Sequence, residues 1–140
     1  MTSAIYASLK QLCRWPLLYY WLPLVTWMGA IFWFSAQPQP LGYLASWLES
    51  LAGIVGHLVG YAGLVLFWWR ALAAHSASAR RMRGLAFLLT VLYAVSDEYH
   101  QSFVPGRTAT LADLFIDAAG AVLGLWLVYR RQEKWGSKVD

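Results

Sequence analysis

The sequence predicts an all-α polytopic membrane protein, a bundle of four transmembrane helices with both termini cytosolic and a short interfacial segment in the first outer loop. Three observations predict it. Hydrophobic residues make up 59% of the 140 positions and charged residues 13%, about half the charged share of a soluble domain. Four apolar stretches are each long enough to cross about 30 Å of hydrocarbon as a helix. Ten of the eleven Lys and Arg residues fall on one side of the four-span arrangement that results, which marks that side as the cytosol. A soluble fold of this length cannot bury so much apolar surface, so the composition excludes a cytosolic enzyme or a disordered chain. The lone Cys13 excludes an intramolecular disulfide framework.

The first span runs from about Trp15 to Ser35 and carries no charge. Pro16 lies in its opening turn, where proline is tolerated, and Pro23 lies inside, where a kink is expected. Its apolar run exceeds that of a signal peptide and Phe34-Ser35-Ala36 is a poor cleavage site, so the span is expected to be retained. The second runs from about Leu51 to Trp69, interrupted only by His57. The third, from about Leu85 to Gln101, turns polar at its end, and the fourth, from about Leu111 to Tyr129, opens with two aspartates. All four belong to one domain covering residues 1–140. Between the first two spans, Leu41, Leu44, Ala45 and Leu48 fall on one helical face, as in an amphipathic segment lying at the interface.

Orientation rests on where the basic residues fall. Lys10 and Arg14 precede the first span, Arg70, Arg80, Arg81 and Arg83 separate the second and third, and Arg130, Arg131, Lys134 and Lys138 follow the fourth. Only Arg107 lies on the outer side. The basic tail is read as a topology signal that contacts anionic headgroups, and nothing in it favours nucleic-acid binding.

With that topology, the ionisable residues converge. His57 lies about two turns into span two, Asp97, Glu98, His100 and Gln101 end span three, Arg107 sits in the outer loop, and Asp113 and Asp117 open span four. All are on the outer half. Charge inside a span costs at least about 2.5–3.5 kcal/mol on insertion scales, so such residues face a cavity or a partner. Asp113 and Asp117 share a helical face that Gly120 and Gly124 continue inward, and Asp97 and Gln101 share another. Gly53, Gly56, Gly60 and Gly63 form small-residue ridges around His57, with Tyr61 one turn below. The expectation is an acidic pocket enclosed by spans two to four and open to the outside. Several members also have plainer roles: Asp113 as an N-terminal cap, Tyr61 as a satisfied packing residue, Arg107 as a neutraliser of the carboxylates.

The run SDEYHQSFVPGRTATLADLFIDAAGAVLG, residues 96–124, resembles the signature of the VanZ-like family of small bacterial membrane proteins. The matching positions are Ser96, Asp97, Glu98, Gln101, Phe103, Arg107, Asp113, Asp117 and Gly120, joined by the pair His57 and Tyr61 in the preceding span. Two departures stand out. Gly53-Ile54-Val55-Gly56 occupies the place where many relatives carry a Lys, and Asp117 stands where many have Asn. The resemblance implies a polytopic protein of the bacterial cytoplasmic (inner) membrane, in a family whose name derives from a member linked to teicoplanin resistance. It implies no particular reaction.

Two functions compete. In the first, an enzyme processes a lipid or lipid-linked envelope molecule at the outer leaflet. Asp97, Glu98, His57 and Asp117 are then the catalytic candidates, and Arg107, Gln101, Asp113, Tyr61 and Ser96 the ligand-binding ones. A divalent cation is a candidate cofactor, with Asp97, Asp113, Asp117 and His57 as candidate ligands, although no fixed ligand spacing is present. In the second, the protein binds a lipid or amphiphile without chemistry and alters envelope properties. Transport is a weaker third, because the charges do not reach the cytosolic half. Membrane lipids are the expected partners, and the glycine ridges would also serve an oligomer.

Overall fold

The computed structural model describes residues 16–38, 46–75, 78–107 and 109–136. Among the described residues the secondary structure is four α-helices and no strands: α1 (Pro16–Ser35), α2 (Ser46–Ala73), α3 (Ala79–Gln101) and α4 (Leu111–Gly136). Each expected span falls on one helix, Trp15 of the first lying outside the described residues, but α2, α3 and α4 extend beyond their apolar stretches. The helical hydrogen-bond ladder has no reason to stop where hydropathy falls, so polar turns are added at both ends of α2 and at the basic end of α4. α1 runs through Pro23 unbroken. Of the expected interfacial segment, Leu41, Leu44 and Ala45 lie outside the described residues, and Leu48 belongs to α2.

Two helices, over Ser50–Ala73 and Leu111–Gln132, are long and apolar enough to cross a membrane, each with mean hydropathy 1.8. α1 is uncharged but rich in Trp and Tyr, whose polar N–H and O–H groups temper its hydropathy. α3 begins ARRMR and ends SDEYHQ, which confines its apolar part to the middle.

α2 is the hub, packing against each of the other three helices, and its interface with α4 is the most extensive. These two helices run parallel: Gly120 lies on the backbone of Leu58, and one turn further Gly124 lies on Ala62 and Val65. A Cβ on Gly120 would overlap the Leu58 carbonyl oxygen, and one on Gly124 would sit 2.7 Å from the Ala62 oxygen. The absent side chains are what let the two backbones touch. On the other face of α2, Gly63 receives the ring of Trp27 from α1, whose Nε1 donates to the Gly60 carbonyl at 2.9 Å. Gly53 and Gly56 have nothing within 4 Å of where a Cβ would stand, so the expected ridge around His57 is used for packing only in its inner half.

The core is built on Leu24, Tyr61, Leu64, Ala71 and Ala94, with a second cluster of Val65, Ala86 and Ala121. Outside it the molecule is apolar: Trp33, Phe103, Leu111 and Phe115 are all at least 65% exposed. The basic residues gather at one end of the bundle. Arg70 lies 4.4 Å over the ring of Tyr19, Arg83 faces Tyr129 and donates to Gln132, and Arg130 faces Trp126. Asp97, Glu98, Asp113 and Asp117 occupy the opposite end, together with Arg107.

Candidate functional site

Asp97 and Glu98 are consecutive, so on a helix their side chains leave about 100° apart and reach different neighbours. That rotation divides the polar end of the bundle into two linked clusters.

Asp97 points between α1 and α2 and is 3% exposed. Its Oδ2 accepts hydrogen bonds from Ser35 Oγ at 2.6 Å, Gln101 Nε2 at 3.0 Å and Tyr61 Oη at 3.1 Å. Gln101 also donates to Ser35 Oγ at 3.3 Å. One carboxylate oxygen therefore fastens the ends of α1 and α3 to the middle of α2. Three donors on one acceptor make this a tie between helices, so Asp97 and Gln101, expected in catalysis and ligand binding, are engaged with the fold itself. Ser35 was not among the sequence candidates. Its signal was its place: the last residue of an otherwise apolar span, at the same depth as Asp97.

Glu98 turns toward α4. Its Oε2 accepts from the Thr110 backbone N–H at 3.2 Å, joining the end of α3 to the start of α4. Beside it, His57 Nδ1 lies 2.8 Å from Asp117 Oδ1. With Asp117 ionised and therefore only an acceptor, His57 Nδ1–H donates to it, and in the neutral ring Nε2 is then the free nitrogen. Asp117 has no exposed side-chain surface, while the His57 side chain is 16% exposed, so the imidazole is the reachable member of the pair. One ligand-type atom from each of His57, Glu98 and Asp117 lies within 4.8 Å of the other two. Asp117 Oδ2 and Glu98 Oε1 are buried with no hydrogen-bond partner among the described residues, as is the second oxygen of Asp97. Tyr61 joins the clusters: its ring stacks parallel to His57 at 6.3 Å while its hydroxyl serves Asp97.

The remaining candidates are placed elsewhere. Asp113 exchanges hydrogen bonds with Thr110, its Oδ2 accepting from Thr110 Oγ1 at 2.7 Å and its N–H donating to the same hydroxyl at 3.2 Å. This is a helix cap, the plainer of its two roles. Ser96 is exposed on α3, its hydroxyl donating back to the Tyr93 carbonyl. Arg107 does not neutralise the carboxylates. A turn through Pro105 and Gly106, which takes φ 82°, closes with Arg107 N–H donating to Val104 O. The turn delivers the guanidinium to the end of α1, where Nη2 donates to Phe34 O at 2.9 Å and Nε to Gln37 O at 3.2 Å. A cation on the last carbonyls of a helix complements its dipole. His100, unassigned at the outset, stacks on Phe32 at 4.3 Å. Two surface concavities lie along the outside of α4, one lined by Ala119, Val122, Leu123 and Trp126 and one by Trp126, Leu127, Arg130 and Arg131, away from the acidic end.

A helical bundle with apolar flanks and a buried polar centre at one end defines a small membrane-type protein. The sequence model of the VanZ/LLP1 family matches residues 20–132, and the chain belongs to that family. The match takes in all of α2, α3 and both polar clusters. No curated protein and no solved structure matches the chain.

Proposed function

We propose that this protein crosses the bacterial cytoplasmic membrane four times with both ends cytosolic, and that its polar centre processes a lipid or lipid-linked envelope molecule at the outer leaflet. The observation that carries the reading is the meeting of His57, Asp117 and Glu98 at one end of a bundle whose flanks are apolar. An imidazole oriented by one carboxylate and faced by another is a group set that accepts and returns protons. Its surroundings limit what reaches it to molecules already in the bilayer, which favours an amphiphile over a free metabolite. The gathering of Arg70, Arg83 and Arg130 at the opposite end supports the orientation. Kinship with VanZ-like proteins makes glycopeptide (teicoplanin) susceptibility the phenotype in which a lost activity would be sought.

Mass spectrometry of a bacterial envelope lipid extract, incubated with the purified protein or with His57→Ala, tests the proposal. Asp97 is the wrong residue to alter first, because its loss would loosen three helices. A product formed by the wild type and missing with His57→Ala is expected. One lipid retained unchanged by the wild type alone would replace the enzyme with a binding protein. Full turnover by His57→Ala would remove the polar centre from the chemistry.

A further inference from the structure

We infer that His57, Glu98 and Asp117 form a binding site for a divalent transition-metal cation of the Zn²⁺ or Mn²⁺ type. The inference rests on reading these three residues as the working centre, and it gives that centre a cofactor.

Glu98 is 9% exposed and Asp117 1%. Each carries one carboxylate oxygen that is buried and has no hydrogen-bond partner among the described residues, Glu98 Oε1 and Asp117 Oδ2. A buried acceptor left unpaired costs about 1–3 kcal/mol, and more when it is charged. Here two of them belong to a single three-residue group that also offers an imidazole nitrogen, with one atom from each residue inside 4.8 Å. Each carboxylate has its other oxygen fixed by a defined donor: Thr110 N–H holds Glu98 Oε2 and His57 holds Asp117 Oδ1. The unpaired oxygens are thus the ones left over after the helices have been joined.

A proton on one carboxyl would satisfy a single oxygen, whereas a cation satisfies both and the imidazole together. Ligands about 2.0–2.2 Å from a metal lie at most about 4.4 Å apart, so groups already within 4.8 Å of one another stand at or close to coordination range. One nitrogen with two carboxylates suits zinc or manganese better than magnesium, which keeps most of its waters, or calcium, which takes six to eight oxygens. Three protein ligands leave a coordination position open, which is the arrangement of a catalytic rather than a structural site. The open position fits a water or a phosphate oxygen of a lipid headgroup.

Asp97 and Asp113, candidate ligands on sequence grounds, stand outside this group. Asp97 has its Oδ2 taken by three donors and, although its Oδ1 is also unpaired, it is not among the residues whose ligand atoms come together; Asp113 is bound to Thr110. Glu98, which sequence reasoning placed with the acids and bases, takes their place.

The test titrates untagged full-length protein in phosphatidylglycerol–phosphatidylethanolamine nanodiscs with Zn²⁺ alone and with Mn²⁺ alone. Saturable binding of about one ion per chain is expected for at least one of them. Glu98→Gln and Asp117→Asn should each weaken it at least tenfold, by comparison with the 10–100-fold cost of losing even an outer-shell partner. Ser102→Ala, whose exposed hydroxyl only returns to the Tyr99 carbonyl, should bind as the wild type does. Should the variants fail to fold, X-ray absorption on the Zn²⁺-loaded wild type decides alone. A shell of nitrogen and oxygen near 2.0–2.1 Å with imidazole scattering is expected, and a sulfur near 2.3 Å would move the ion to Cys13 and overturn the site. So would binding undiminished in Glu98→Gln, or no saturable binding of either ion up to about 1 mM, the weak end of biological cation sites. Lipid turnover is read separately. Turnover surviving in chelator-stripped protein that binds neither ion would sink the metal and keep the enzyme. Metal binding with no turnover would do the reverse.

Discussion

Gly120→Ala tests whether close approach of α2 and α4 builds the site. An added Cβ would overlap the Leu58 carbonyl oxygen and lie 3.1 Å from the carbonyl carbon and the Cα of the same residue. Carbons pack at about 3.5–4.0 Å, and these neighbours are backbone, so no rotamer change relieves the clash. The two helices must part by roughly 0.5–1 Å, the difference between that spacing and the one found here. Overpacking of this kind costs about 1–3 kcal/mol. Because the neighbours are backbone, the cost belongs in the upper part of that range, and alanine's better helix propensity offsets up to about 1 kcal/mol, leaving a net loss of about 1–2 kcal/mol, a factor of roughly 5–30 in the folded fraction. The consequence for the site is larger than the number suggests. His57 and Asp117 lie one residue and one turn from the contact and are 2.8 Å apart. Parting by that amount carries them past the about 3.2 Å limit of a good N–H···O bond. Reversible unfolding in bicelles, by steric trapping or a denaturing-detergent titration, reads the stability. The control is Gly53→Ala, whose Cβ meets nothing within 4 Å and which should be neutral or gain up to about 1 kcal/mol. Wild-type stability in Gly120→Ala, or an equal loss in Gly53→Ala, would refute the packing explanation.

Three other outcomes are expected. Asp97→Ala strands the donors of Ser35, Tyr61 and Gln101. Three hydrogen bonds at about 0.6–1.5 kcal/mol each put the loss at roughly 2–4 kcal/mol, read in the same unfolding assay, and unchanged stability would contradict the tying role. Arg107→Ala releases the carbonyls of Phe34 and Gln37, so hydrogen exchange should speed up at the end of α1 and stay unchanged in α4; equal protection of the α1 end would show that the guanidinium holds nothing there. Finally, on a Cys13→Ser background, a membrane-impermeant thiol reagent should label Ser102→Cys in intact cells and Ala74→Cys only after permeabilisation. The opposite pattern would invert the proposed topology.

How far the sequence carried each part depends on the range of the force concerned. Helix positions were legible because hydropathy is a property of consecutive residues. The third helix ends at Gln101 and the fourth begins at Leu111, as the polar run SDEYHQ and the Thr110-to-Asp113 cap require. The convergence of His57, Glu98 and Asp117 was legible as a shared depth, and the packing role of Gly120 and Gly124 as a four-residue spacing. Which residue meets which was not. Depth is one coordinate, and partners at one depth are chosen by the rotation of each helix about its axis. The packing of Leu58 on Gly120 sets that rotation for α2 and α4, and so decides that Asp117 meets His57.

The same rotation separates Asp97 from Glu98, neighbours in the chain that serve different clusters, and brings in Ser35 from a helix that looked purely apolar. Arg107 illustrates the limit most plainly. Charge alone pairs it with carboxylates, but the turn at Gly106 aims it at the carbonyls ending α1, where a helix dipole offers negative potential that composition does not display. By itself the sequence determined the family, the four helices and the end of the bundle at which polar groups collect. Only the tertiary structure decided which of those groups meet at Asp97 and which gather around His57, because that depends on backbone contact between helices distant in the chain.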